Sequence, residues 1–133
     1  MLFQPVRLDG DIWGPNVIRS YREACMQSAD RRYDEAIALQ QAGKLEEAVV
    51  KLEALVGEHP DYALAHSGLS VFYGKLARHD EAVRHAQKVC ELEPDDPFSF
   101  VAMSLICQRA GRTAEAEQAL GIAMEKQMAA RRS

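Results

Sequence analysis

LEEAV at 45–49, HDEAV at 79–83 and TAEAE at 113–117 are one phrase written three times. Their alanines, Ala48, Ala82 and Ala116, stand 34 residues apart. Two further series keep the same period. Gly43, Ala77 and Gly111 lie five residues before the three alanines, and Pro60 and Pro94, each followed by Asp, lie twelve after the first two. Three series at one period mark an internal repeat, and a repeat decides the fold before any other feature is weighed.

Each unit reads as two helices. In the middle unit the first helix carries Leu69, Phe72, Tyr73 and Leu76 at helical spacing and then meets a small residue where the chain must turn. The second helix runs from the alanine, with Val49, Leu52, Leu55 and Val56 in one unit and Val83, Ala86, Val89 and Cys90 in the next. Proline ends the pair because it forces its predecessor out of the helical region. Asp96-Pro97 should open the third unit: Asp accepts from free first-turn amides, and Pro at the first position gives up no needed donor. Alanine is required at 48, 82 and 116 because two helices crossing there leave no room for a larger side chain.

The rest of the sequence sets the surroundings of this repeat. A length of 133 residues is about one domain. With 47% apolar and 27% charged residues the composition is that of a soluble globular chain, which excludes a disordered tail. Sixteen basic against twenty acidic residues give a net charge of −4 and argue against a dedicated nucleic-acid binder. Three cysteines, 65 and 17 residues apart, form no disulfide framework and point to a reducing compartment. The longest uncharged run, residues 97–108, is too short for a bilayer, which takes roughly 20 residues. Arg7 and Asp9 stand where a signal peptide needs an apolar stretch. The expectation is a cytoplasmic protein with no direct membrane insertion.

With its 34-residue period and its pattern of small and large residues, then Gly, Ala and Pro, the chain resembles the tetratricopeptide repeat (TPR) family. The resemblance divides it into repeats 29–62, 63–96 and 97–130. Repeat one places Ala36, Leu39, Gly43, Ala48, Leu52, Leu55 and Pro60 on signature positions. Repeat two places Leu69, Ser70, Tyr73, Ala82, Ala86, Val89 and Pro94 there, and repeat three Phe100, Met103, Ser104, Cys107, Gly111, Ala116, Leu120 and Ala123. It implies an all-α, right-handed solenoid of three helix-turn-helix units. Arg32 and Glu35 depart from the pattern, since large apolar residues belong there, and Met128 replaces the last proline. Terminal repeats tolerate such changes, because a stack has to end in surfaces that meet water.

Ahead of the repeats, residues 1–28 read as an arm and a helix, and residues 131–133 as a basic tail. The arm holds Pro5, Gly10 and Gly14 without periodicity and is expected to be extended. Pro15 opens a helix with Val17, Ile18, Tyr21, Ala24 and Cys25 on one face. No Gly or Pro interrupts 16–42, so this helix either runs on into repeat one as a single rod or breaks near Ser28–Asp30, where capping residues stand. Phe3 and Trp13 are large apolar residues in a polar, turn-rich arm; they either pack on the chain's own helices or hook a partner.

No catalytic constellation is present in the sequence. His59, His66, His79 and His85 share no i, i+4 pair, so no metal site is expected, and no cofactor. His66 reads as a packing or surface histidine. Cys90 and Cys107 fall on positions facing the stack and read as small apolar residues. DGDIWG at 9–14 has Trp13 in place of the third oxygen ligand and Ser20 in place of the closing glutamate of a calcium loop, and is rejected as one.

In a TPR stack the first helices line a concave binding face. The resemblance places Tyr33 and Ile37 there from repeat one, Leu64, Val71 and Lys75 from repeat two, and Phe98, Val101, Leu105 and Arg109 from repeat three. TPR domains that grip the acidic C-terminus of heat-shock chaperones use Lys and Asn on this face. The matching positions here carry Tyr33, Ile37, Gly68, Phe98 and Ala102, so that clamp is absent. The groove is apolar at its middle. Either residues 1–28 cover it or it takes an apolar peptide or partner helix, with Tyr33 and Phe98 as anchors and Lys75 and Arg109 setting orientation. The expected function is a non-enzymatic protein-interaction scaffold without nucleic-acid partners. Two alternatives stand beside it. One is a small chaperone for an apolar substrate, of the type III secretion translocator kind. The other is self-association end to end through an uncovered third repeat.

Overall fold

The computed structural model describes residues 15–132. These form six helices and no strand: α1 (Pro15–Gln41), α2 (Leu45–Glu58), α3 (Ala63–Lys75), α4 (His79–Leu92), α5 (Pro97–Arg109) and α6 (Thr113–Arg132). Consecutive helices pack on one another, and α3 also touches α5, so α1, α3 and α5 form one layer and α2, α4 and α6 the other.

The turns inside the three pairs are built alike. Gly43, Ala77 and Gly111 all take the left-handed conformation, at φ of 84°, 61° and 78°. Each then closes the same pair of backbone bonds. In the first, the Gly43 N–H donates to the Gln40 carbonyl at 3.0 Å and the Lys44 N–H to the Leu39 carbonyl at 2.9 Å. Ala77 and Arg78, and Gly111 and Arg112, repeat the arrangement. It is the Schellman ending, which satisfies the last carbonyls of a helix and needs a residue tolerant of positive φ. At the start of α5 the Asp96 side chain accepts from the Phe98 N–H at 3.0 Å with Pro97 at the first position, as the sequence predicts.

The recurring alanines sit where the helices cross: Ala48 and Ala82 are fully buried and Ala116 nearly so. Leu52, Leu55, Leu69, Val83 and Cys107 are the largest side chains wholly removed from water. Between α2 and α3 the approach is close enough that a Cβ on Gly68 would fall 2.9 Å from Leu52 Cδ1. Only a glycine leaves that leucine its place.

Of the two alternatives for 16–42, the unbroken rod is the one observed: α1 runs 27 residues without interruption. Asp30 caps nothing. Its carboxylate accepts from the Tyr62 hydroxyl, across to the turn before α3, so the residue that could have started a new helix ties α1 to the far end of repeat one. Arg32 and Glu35, the departures from the repeat pattern, are spent on α2: Arg32 pairs with Glu58 at 2.9 Å and Glu35 with Lys51 at 3.0 Å. At the other end α6 continues through Arg131 and Arg132. Phe3, Trp13 and the DGDIWG segment lie outside the described residues.

Candidate functional site

The layer of first helices carries an apolar stripe on which no other helix among the described residues packs. Leu64 and Val71 on α3 are 50% and 39% exposed, and Phe98 and Leu105 on α5 are 71% and 52% exposed. Residues seven and eleven apart return to the same side of a helix, so Leu64, Val71 and Lys75 share one line on α3, and Phe98, Leu105 and Arg109 share one on α5. The two lines are register mates, each residue 34 from its counterpart. Ile37, half-buried on α1, is the mate of Val71 and extends the row across all three units. Val101 is half-buried beside this stripe. Leu64 and Phe98 border one open pocket with Ser67, Ala102 and Val89. Tyr33 is half-buried against the edge of the Tyr62 ring, with centroids 6.3 Å apart, and burial followed by the Asp34 charge pushes its hydroxyl up.

Charge is arranged around this stripe. Lys75 and Arg109 occupy the last turns of α3 and α5, where the helix dipole favours cations. Among the described residues neither meets a carboxylate. Two unpaired cations therefore flank one edge of an uncovered apolar row.

Behind the stripe lies a polar cluster that sequence reading missed. The buried His66 and His85 face each other with their Nδ1 atoms 3.0 Å apart, and His66 Nε2 donates to the Pro60 carbonyl at 2.8 Å. Tyr73 stacks on His85 with centroids 5.7 Å apart and donates its hydroxyl to Glu53. Burial, then the bond to Glu53, pushes that hydroxyl above the usual tyrosine range. The two histidines stand 19 residues apart on different helices, so no local spacing announced the pair. The sequence offered only the repeat register, which puts His66 at a packing position.

Cys90 and Cys107 are buried as expected. The Cys90 thiol donates to the Ser99 carbonyl at 3.4 Å, and burial pushes its pKa up to about 11. Burial raises Cys107 too, so neither is a poised thiolate. The described residues hold no group of three metal-ligating side chains, and no helix among them is long and apolar enough to cross a membrane.

At the far end of the stack α6 exposes Leu120, Met124 and Met128 at 46%, 57% and 53%. The mates of Leu120 two and one repeats earlier, Leu52 and Ala86, are buried by α3 and α5.

No protein-family model and no curated protein sequence matches the chain. Solved structures do. The chain is similar to the crystal structure of MamA at 21% identity and a TM-score of 0.72, over 79% of this chain and 61% of that one. It thus spans about three fifths of the length of MamA. It is similar to the type III secretion translocator chaperone SycD of Yersinia enterocolitica at 22% identity and a TM-score of 0.68, over 75% of this chain and 76% of that one. It is also similar to the second TPR of Spaghetti (RPAP3), solved with the HSP90 peptide SRMEEVD, at 20% identity and a TM-score of 0.67, over 77% of this chain and 96% of that one. The chain has the TPR fold. Each repeat is then one helix pair of the TPR solenoid, and the stripe described above belongs to the first helices of its three TPR units.

Proposed function

We propose that this TPR protein is a non-enzymatic scaffold or assembly factor, working in the cytoplasm, that holds a partner protein on the face of its first helices. The observation that carries the reading is the exposed pair Val71 and Leu105, continued by half-buried Ile37, with Leu64 and Phe98 above and unpaired Lys75 and Arg109 below. Apolar rows left in water mark binding surfaces. The occupant that fits is a segment, helical or extended, that brings apolar side chains to the row and a carboxylate-bearing edge to the two cations. Phe98 and Tyr33 anchor it; Val101 broadens the contact. The chaperone role carried by SycD is a special case of this reading, in which the held segment belongs to an apolar substrate.

Affinity capture of the full-length protein beside its Leu105→Arg and Lys75→Glu/Arg109→Glu variants tests it, with circular dichroism to check that all three fold. A stoichiometric partner lost in both variants is expected. Capture undiminished in folded Leu105→Arg protein would remove the face from the function.

A second reading rests on the exposed Leu120, Met124 and Met128 of α6: copies join end to end through this face. Light scattering that grows with concentration and is abolished by Met124→Glu would support it, and a monomer at every concentration would discard it.

A further inference from the structure

The protons of the histidine pair can be counted. The Pro60 carbonyl only accepts, so His66 Nε2, 2.8 Å away, carries a hydrogen and His66 Nδ1 is left with its lone pair. His85 Nδ1, 3.0 Å from that lone pair, must then be the donor. In the neutral pair His85 Nε2 is therefore bare, and it lies 3.9 Å from Glu53 Oε2. Both rings are buried, at 6% and 8% exposure, so water does not relieve a mismatch.

We propose that His66 and His85 form a proton-binding site that accepts one proton and rejects a second, so that acid unlocks the contact between α3 and α4 inside the second repeat. The first proton goes to His85 Nε2, where it faces the Glu53 carboxylate and leaves every existing bond in place. The second has only His66 Nδ1 left, where it meets the His85 Nδ1–H. That puts donor against donor between two cationic rings whose centroids are 5.2 Å apart. The contact has to open.

The groups around the site are drawn from every neighbouring element. Glu53 comes from α2, the Pro60 carbonyl from the turn, Tyr73 from α3, and Glu81 and Arg84 from α4, with the Arg78 guanidinium 4.8 Å over the Tyr73 ring. Burial is the largest influence on His85 and disfavours its charge; His66 and Arg84 add to that, while Glu53 and Glu81 oppose it. His85 is thereby held below the ordinary histidine range, near 6.5. The unfolded chain then binds more protons than the folded one as pH falls past 6.5, so stability is full above that value and declines below it. Opening the pair removes a polar tie between α3 and α4, and the ring of His66 that must shift is the one that holds the Pro60 turn joining the first repeat to the second. The proposal concerns the folded chain alone and stands or falls independently of what the face binds.

Urea unfolding of the full-length protein at pH 7.5, 6.5 and 5.5, beside its His85→Gln variant, tests it. A glutamine amide can donate to a neutral His66, and by turning over it can accept from a protonated one, so the variant lacks the clash. Each proton taken up on unfolding multiplies the unfolding constant by about ten per pH unit. Between pH 6.5 and 5.5 an unfolded histidine titrating near 6.5 gains on average about three quarters of a proton, so the constant of the parent should rise about fivefold more than that of the variant. Equal slopes would overturn the proposal. Should His85→Gln fail to fold, long-range proton–nitrogen NMR of the parent at pH 7.5 decides. Hydrogen on His66 Nε2 and on His85 Nδ1 is required; any other tautomer pair refutes the count.

Discussion

Leu52 and Leu120 are the same residue at the same position of the repeat, two periods apart, yet Leu52 is 0% exposed and Leu120 46%. Nothing in their own helices separates them. What separates them is the next repeat: α3 brings Gly68 against Leu52, while no helix among the described residues covers Leu120. In a stack of this kind burial belongs to the junction between units, and one sequence pattern acquires different energies according to its place in the array.

Truncating both leucines turns that contrast into a number. Leu52→Ala leaves a cavity in a packed junction and should cost about 2–5 kcal/mol in chemical denaturation. Leu120→Ala should move stability by less than about 0.5 kcal/mol, as an exposed substitution does. Equal effects would mean that α6 is covered in solution, which is the condition the end-to-end reading requires. Measuring the Leu120→Ala effect at two protein concentrations separates the cases, because only a face covered by another copy gives a dependence on concentration.

A smaller contrast separates the helix starts. Asp96 caps α5 through its side chain, whereas α2, α3 and α4 begin without a side-chain cap. Asp96→Ala should cost about 1 kcal/mol by thermal or urea melting. Glu93, three residues earlier at the C-terminal end of α4, caps no helix start, and its replacement by alanine should be neutral to within about 0.5 kcal/mol.

The helices, their turns and their crossings were all written locally, in 34-residue spacing, in Asp-Pro, and in small residues where chains turn or cross. That is why α2 to α6 could be read directly from the sequence. The exposed stripe was legible only through the register, because Leu64 and Phe98 look like core residues until one knows which side of the helix faces the other layer. The bonds of Tyr62 to Asp30, Tyr73 to Glu53 and His66 to His85 were not legible at all. Each joins residues 19 to 32 apart on separate elements, and their meeting depends on the angle at which two helices cross, which no spacing along one helix contains. The same holds for α1. Its continuity turned on whether Asp30 would cap a helix or reach a tyrosine 32 residues away in the turn before α3, and that remote partner decided it.

The finest comparison lies within the three turns. Gly43, Ala77 and Gly111 hold the same left-handed backbone, but only Ala77 carries a Cβ there. An alanine in this region costs roughly 1–2 kcal/mol against the right-handed well. Glycine removes that strain and gives back roughly 0.5–1 kcal/mol through the freer unfolded chain. Ala77→Gly should therefore stabilise the protein by about 0.5–1 kcal/mol, and Gly43→Ala, where the Cβ would meet open space, should destabilise it by a similar amount through backbone strain alone. The pair of variants measured in one urea series isolates the backbone, since neither changes a packed side chain. A destabilised Ala77→Gly protein would show that the Ala77 methyl contributes a contact worth more than the strain it carries, and the three turns would no longer be equivalent.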